Sequence, residues 1–206
     1  MSTMMTSVKR SIDPERAQGR RTQVLDAAAV CFARSGFHGA SMAEISRQAG
    51  MSIGHIYNYF TSKDAIIMAF VAMRVEHVTN RLIHVGKQDD PLEYMFDEIL
   101  EIVEQHLDPA YWGMSMEIYA EASRNPTIAT ALAQADATAR EQFGALIQRG
   151  RAQRGLAADD RTVAGRTEAM ISMFNGLPMR ALHHPTLDRD SLVDAFRVAM
   201  KALMMS

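Results

Sequence analysis

Cysteine is almost absent from this sequence, since its 206 residues include only Cys31. A single thiol excludes an internal disulfide framework, and we expect Cys31 to be a buried thiol on the core side of the first helix. No apolar run reaches the ~18 residues that indicate a membrane-spanning helix, and the first residues lack the apolar core of a signal peptide. The sequence therefore predicts a cytoplasmic protein that has no membrane as a partner.

Recognisable catalytic and metal-binding patterns are also missing. The sequence has no G-x-S-x-G, no P-loop and no dinucleotide-binding fingerprint. His183 and His184 are adjacent and do not converge on one ion, whereas His77 and His84 can align on a helix but lack an obvious third ligand. We expect no catalytic residue, no metal and no cofactor; an enzyme and a metal sensor are the alternatives that these observations disfavour.

Proline is scarce, and its placement is informative. Four of the six prolines follow Asp or Asn, and an N-cap residue before a first-turn proline marks a helix start. These pairs are Asp13-Pro14, Asp90-Pro91, Asp108-Pro109 and Asn125-Pro126. With 48% hydrophobic residues and little period-2 alternation, the sequence predicts an all-α fold. About nine helices are expected, at residues 14–35, 42–49, 53–59, 62–85, 91–106, 109–123, 126–153, 160–182 and 188–204.

Two short helices joined by a tight turn are predicted between residues 41 and 60. Ser41 and Glu44 have the spacing of a capping box that starts a helix. Gly50 can adopt the positive φ that ends this helix, and Ser52 is a suitable N-cap for the next one. This is the spacing of a helix-turn-helix, whose second helix enters the major groove of DNA. An ordinary helical hairpin inside a bundle would carry the same local signals.

The second of these helices has the side chains that a groove-reading surface needs. Ile56 and Phe60 share one face for burial, while polar and aromatic residues occupy the other faces. We expect His55 or Asn58 to read bases, and the tyrosines and Lys63 to bind phosphates, although a solvated side chain is the alternative for Lys63. The predicted DNA-contact residues are Ser41, Ser52, Gly54, His55, Tyr57, Asn58, Tyr59 and Lys63.

The net charge of −2 is unevenly distributed between the two parts of the chain. Residues 1–63 contain eight basic and four acidic residues, a net charge of +4, and residues 64–206 contain the remaining fourteen basic and twenty acidic residues, a net charge of −6. A basic segment that also contains the helix-turn-helix suits the phosphate backbone. We therefore predict a domain boundary at 63/64. Four arginines are placed to reach phosphates or a minor groove: Arg10, Arg16, Arg20 and Arg21.

Three segments together resemble the DNA-binding domain of the TetR family of bacterial transcriptional regulators, over about residues 16–70. They are Phe32-Ala-Arg-Ser-Gly36-Phe37, Ser41-Met-x-x-Ile45-x-x-x-Ala49-Gly50 and Gly54-x-Ile56-Tyr57-x-Tyr59-Phe60-x-x-Lys63. Tyr59 stands where the family often has His, and Ile53 where a basic residue is common. The resemblance implies three helices in residues 1–63, and an effector-binding and dimerisation domain in residues 64–206. It also implies a repressor that a small molecule releases from DNA.

The resemblance places the small-molecule site among the middle helices, which are rich in methionine and aromatic residues. Flexible thioethers suit an adaptable apolar pocket, and Glu117 near aromatic rings could favour a lipophilic cation. Methionines at helical spacing are more often part of an ordinary core. For a small apolar or amphipathic effector of open identity, the predicted contacts are Met73, His77, Met95, Ile99, Val103, Trp112, Met116, Tyr119, Phe143, Met173 and Phe174.

The last two helices have broad apolar faces, which the resemblance assigns to a four-helix bundle between two copies of the chain. We expect Phe196 to lie in this interface; an intramolecular core is the alternative. One short recognition helix reads too few base pairs to specify a site in double-stranded DNA, so specific binding also requires a homodimer. The operator of a homodimer is expected to be pseudo-palindromic. A ligand-independent architectural DNA binder is a further alternative, which would not need an acidic helical region of this size.

Overall fold

The computed structural model describes residues 14–206, and these residues form ten α-helices without a β-strand. The predicted all-α class is confirmed, while Arg10 lies outside the described residues. The chain divides into two compact units, one that ends at Ala69 and one that runs from Phe70 to Ser206. The helices are α1 (Pro14–Gly39), α2 (Met42–Ala49), α3 (Ile53–Tyr57), α4 (Lys63–Gly86), α5 (Pro91–Asp97), α6 (Ile99–Leu107), α7 (Pro109–Ala122), α8 (Pro126–Ala152), α9 (Asp160–His183) and α10 (Arg189–Met205).

The first unit is built around an aromatic pair at the end of α1. The Phe32 and Phe37 rings meet edge to face with their centroids 4.6 Å apart. Between them Gly36 has φ 67°, a left-handed conformation that suits glycine and kinks α1. Cys31 is buried beside this pair, as the sequence predicts. The isoleucines that complete the core are Ile45, Ile56, Ile66 and Ile67.

The boundary between the two units lies within α4. The sequence predicts it at 63/64, whereas the compact units divide between Ala69 and Phe70. The reason is that Ile66 and Ile67, in the first turn of α4, are fully buried and belong to the first unit. The helix α4 therefore begins in one unit and ends in the other.

The single helix predicted at residues 91–106 is two helices, α5 and α6. Glu98 separates them with a ψ of 0°, while its N–H still donates to the Tyr94 carbonyl at 3.1 Å. No sequence signal marks this break, because the spacing of buried apolar residues continues without interruption across it. The core of the second unit collects Val85, Leu92, Met95, Phe96, Ile99, Val103, Leu107, Leu146, Ile147, Val163, Met170, Leu177, Val193, Met200 and Met204.

Two arginines hold the C-terminal end of α10. Arg151 on α8 is only 2% exposed, and it donates to the Ala157 carbonyl at 2.6 Å and to the Met204 carbonyl at 2.7 Å. Arg166 on α9 donates to further carbonyls at the end of α10. Cations placed against the last carbonyls complement the negative end of the helix dipole. The ends of α8, α9 and α10 are thereby joined.

The predicted N-caps are confirmed at three helices that begin with proline. Asp90, Asp108 and Asn125 each accept a backbone N–H at the start of α5, α7 and α8, as predicted. None of the described helices is long and apolar enough to cross a membrane. No three His, Cys, Asp or Glu side chains of this region are placed to hold a metal ion. Instead, the His84 ring lies 3.1 Å from the Tyr94 hydroxyl.

Candidate DNA-binding surface and effector cavity

The predicted helix-turn-helix is present with its expected capping. Ser41 Oγ accepts the Glu44 N–H at 3.2 Å, and the Ser41 N–H donates to the Glu44 carboxylate at 2.9 Å. These bonds with Ser41 hold the pKa of Glu44 below its ordinary value. Gly50 ends α2 with φ 62°, and Ser52 Oγ accepts the His55 N–H at 3.3 Å at the start of α3. Short-range interactions therefore fix both helix starts and the turn between them.

Residues of α1 hold the segments that precede and follow α3. Arg21 donates to the Tyr59 carbonyl at 2.8 Å, and its guanidinium lies 4.4 Å from the centroid of the buried Phe60 ring. Gln23 donates to the Ala49 carbonyl at 2.7 Å, where α2 ends. Arg21, which the sequence places near phosphates, thus anchors the turn that follows the recognition helix.

The predicted DNA contacts lie mainly on α3 and in the turn that follows it. Tyr57 is 47% exposed, and Ser52, Gly54 and Asn58 are exposed as well. His55 and Tyr59 are half-buried, with His55 Nε2 lying 3.4 Å from the Tyr59 hydroxyl. The exposed Ser41 lies apart from them, at the start of α2. The recognition helix itself ends at Tyr57, two residues earlier than the predicted 53–59.

Lys63 has an internal role that sequence reasoning missed. Its ammonium donates to the carbonyls of Phe37 and Ala40, the latter at 3.1 Å. A cation at the start of α4 is disfavoured by the dipole of that helix. The two carbonyl bonds, with residues that follow the kink in α1, offset this cost. The partners are 23 and 26 residues away in the chain, so no local pattern could reveal them. Phosphate binding by Lys63 stays a prediction.

We expect Lys63→Met to destabilise the protein as well as to weaken DNA binding. Loss of two charge-assisted bonds at a half-buried site lowers the free energy of unfolding by about 1–2 kcal/mol, measured by urea denaturation. If Lys63 also contacts a phosphate, the slope of log affinity against log salt falls by about 1. Lys87→Met, which removes an exposed lysine, is the control. Unchanged stability in the Lys63 variant would contradict the anchoring role.

The second unit has a partly open cavity of about 570 Å³, lined by residues of α4 to α9 and by Met200 of α10. This volume suits a small organic molecule. Much of the wall is aliphatic, from valines of α4 and from Ile102, Ile118, Leu132 and Ile171. The predicted effector contacts that line the cavity are His77, Met95, Tyr119, Phe143 and Phe174.

The other six predicted effector contacts lie elsewhere. Ile99 and Val103 are fully buried in the core of the second unit, and Met173 packs against that core. Met73 is 50% exposed on α4. Trp112 and Met116 are half-buried on α7, away from the cavity lining. The spacing of apolar residues predicts inward-facing positions on these helices, but it cannot decide which of them border the cavity and which border packed core atoms.

Several cavity residues are polar, and the sequence analysis did not single them out. Arg74 lies over the Tyr111 ring, with its guanidinium carbon 4.7 Å from the ring centroid. The Tyr111 ring also contacts His77 and His106, at centroid distances of 6.1 Å and 5.5 Å. Arg81, two turns beyond Arg74, donates to the Gln105 side chain at 2.8 Å. The spacing of Arg74, His77 and Arg81 along one face of α4 was the available signal.

The surroundings of His106 disfavour its protonation. Burial lowers the pKa of His106, and the positive charges of Arg74 and Arg81 lower it further, against the raising effect of a bond to the Ile102 carbonyl. That bond, at 2.7 Å, requires Nδ1 to carry the proton, since a carbonyl can only accept. Nε2 of the neutral ring is then an acceptor.

Comparison with known proteins covers both units. Residues 24–70 match the family described as bacterial regulatory proteins, tetR family, and residues 90–204 match the BetI-type transcriptional repressor, C-terminal. The chain is similar to the HTH-type transcriptional regulator UidR of Escherichia coli (strain K12). The two are 30% identical over 161 residues, which cover 78% of this chain and 81% of UidR.

Solved structures have the same fold. Salmonella enterica GusR superposes with a TM-score of 0.74 at 25% identity, covering 96% of this chain and 100% of GusR. FadR from Bacillus subtilis in complex with stearoyl-CoA has a TM-score of 0.71 at 15% identity, covering 87% and 96%. A regulator from Saccharomonospora viridis in complex with choline has a TM-score of 0.70 at 20% identity, covering 91% and 96%. The C-terminal match alone exceeds half of the chain, and together with the helix-turn-helix it shows that this protein is a DNA-binding transcriptional regulator of the TetR family.

Proposed function

We propose that the protein represses transcription as a homodimer bound to a pseudo-palindromic operator, and that a small apolar or amphipathic effector in the cavity of the second unit releases it. The observation that carries this proposal is the continuity of α4. The helix begins at Lys63, in the DNA-binding unit, and continues to Gly86 past the cavity residues Arg74, His77 and Arg81. A ligand that moves this helix can bias the DNA-binding unit only through its differential affinity for two states.

The proposed DNA surface is the exposed side of α3 and the turn after it. Asn58 and His55 carry the donors and acceptors that base edges require, and Tyr57, Tyr59 and Lys63 are assigned to phosphates. Ser41, Ser52 and Gly54 complete the proposed contacts. The exposure of Tyr57 and Asn58, without a described side-chain bond for either, supports this assignment.

The proposed dimer surface lies on α9 and α10. Leu182 is 59% exposed, Met179 is 42% exposed and Val198 is 70% exposed, so these two helices have large apolar side chains without intramolecular cover. Phe196, which the sequence places in the interface, instead packs inward, with its ring centroid 5.6 Å from that of Phe174. Exposed apolar side chains of this size on adjacent helices suit burial against a second copy.

The size of the cavity supports a small-molecule effector, and its mixed lining supports an amphipathic one. Relatives with the same fold hold stearoyl-CoA in one case and choline in another. The fold therefore does not set the charge of the effector, which has to follow from the lining residues. DNA binding would place the protein in the cytoplasm.

Selection from a random double-stranded DNA library tests the DNA half of the proposal. We expect an enriched site with two inverted half-sites whose centres lie about 34–36 Å apart along one face of the duplex. Asn58→Ala should lower affinity for that site by about 1–3 kcal/mol and relax the preference at one position in each half-site. Gln134→Ala, an exposed amide on α8, is the matched control. Enrichment of no sequence, or an Asn58 variant with unaltered preference, would contradict the proposal.

A further inference from the structure

The cavity contains two arginines that no described carboxylate neutralises. Arg74 and Arg81 lie on the same face of α4 and are half-buried. Among the described residues, neither takes part in an ion pair. The guanidinium of Arg74 is placed by the face of the Tyr111 ring, a contact that leaves its N–H donors unused. Arg81 uses one N–H for Gln105.

The positive charges of Arg74 and Arg81 both act on the same group, the His106 ring. Each guanidinium lowers the pKa of the half-buried His106, whose ring contacts that of Tyr111, so both positive charges act near the Tyr111–His106 contact. Half-buried cations with unused donors bind an anion more strongly than solvent-exposed ones, because the surrounding wall lowers the dielectric.

Three carboxylates also line the cavity, and two of them are engaged. Asp136 lies 3.4 Å from Arg140, an arginine outside the lining, and Glu101 accepts the Gln105 amide at 3.0 Å. Glu98 lies at the junction of α5 and α6 and has no side-chain bond to the residues described. None of the three carboxylates forms a described ion pair with Arg74 or Arg81, so no direct carboxylate contact neutralises either guanidinium.

We infer that the effector is an organic anion, a carboxylate, sulfonate or phosphate on an apolar body, and that Arg74 binds its charged group with support from Arg81. The aliphatic walls then receive the apolar body. This inference rests on the proposed function, since it assigns a chemical class to the molecule that enters the cavity. Arg74 lies on α4, so the anion engages directly the helix that begins at the DNA-binding unit.

The test uses three probes of nearly equal shape and different charge: naphthoate, naphthamide and naphthylmethylamine. Calorimetry on the full-length protein should give naphthoate an affinity about tenfold or more above that of naphthamide, the effect of one charge-assisted bond. Arg74→Gln should abolish this difference and leave the affinity for naphthamide unchanged, which also shows that the variant is folded. Arg81→Gln should reduce the difference in part, and Arg197→Gln, on the exposed side of α10, should preserve it.

The inference is overturned if naphthylmethylamine binds most tightly or if Arg74→Gln keeps the preference for the acid. It is overturned equally if naphthoate binds no better than naphthamide, including the case in which neither binds at millimolar concentration. Operator release is measured separately, with DNA from the selection experiment. If naphthoate binds through Arg74 but does not release DNA, effector-controlled release is contradicted and the anionic class of the ligand is not. An amine that binds and releases DNA would support the control and refute the anionic class.

Discussion

Leu182→Glu is expected to convert the protein into a monomer and to lower operator affinity at least about a hundredfold, toward the level of non-specific binding. Leu182 is 59% exposed in the single chain and lies near the end of α9, next to the similarly exposed Met179. A carboxylate placed in an apolar interface without a partner costs several kcal/mol. A monomer then keeps only one recognition helix. Sedimentation velocity gives the oligomeric state, and a filter or anisotropy assay gives the affinity.

Ile83→Glu is the matched control for the dimer prediction. Ile83 is 47% exposed on α4, so the same charge is introduced at an exposed apolar position outside α9 and α10. We expect this variant to remain dimeric. Val198→Glu, on α10, should behave as Leu182→Glu does. If both α9 and α10 variants sediment as dimers, the interface lies on another surface.

Arg151→Met is expected to lower the free energy of unfolding by about 2–4 kcal/mol. The substitution keeps a long side chain but removes the donors that satisfy the Ala157 and Met204 carbonyls. The buried Met204 carbonyl left without a donor costs about 1–3 kcal/mol, and loss of the bond to the more exposed Ala157 carbonyl adds about 1 kcal/mol. Urea denaturation of the two proteins measures the change in the free energy of unfolding. In the variant, the side chain of residue 151 no longer bonds the end of α10 to α8.

Arg149→Met is the control that tests whether burial, rather than the number of hydrogen bonds, makes Arg151 important for stability. Arg149 lies two residues before Arg151 and also donates to two carbonyls, those of Gly86 and Gln88, at 2.8 Å and 2.7 Å. Arg149 is exposed, so water replaces its bonds and the expected loss is below about 1 kcal/mol. Equal losses for the two variants would show that the burial of Arg151 is not what makes its bonds important.

Local chemistry explains which features could be predicted from the sequence. The capping box of Ser41 and Glu44, the left-handed Gly50 and the Ser52 cap depend on residues within five positions of each other. Their geometry therefore follows from short segments, whatever the rest of the chain does. The same holds for the Asp-Pro and Asn-Pro helix starts.

Contacts between distant segments explain what could not be predicted. Arg21 and Lys63 are basic and lie near the DNA motif, which predicts phosphate contacts, yet each donates to a backbone carbonyl far away in sequence. Likewise Ile99 has the spacing expected of a ligand contact but is packed in the core, while Arg74 borders the cavity. Periodicity tells which face of a helix is inward, but not whether the space there is filled.

The most direct test of the account is the reciprocal effect of operator and effector on each other. A compound library is first screened for molecules that raise the melting temperature of the protein, because a ligand that binds the native state stabilises it. The affinity of the compound is then titrated calorimetrically with and without the selected operator. We predict that operator DNA weakens effector binding by the same factor by which the effector weakens DNA binding. Equal effector affinities in the two titrations would contradict control of DNA binding through the cavity.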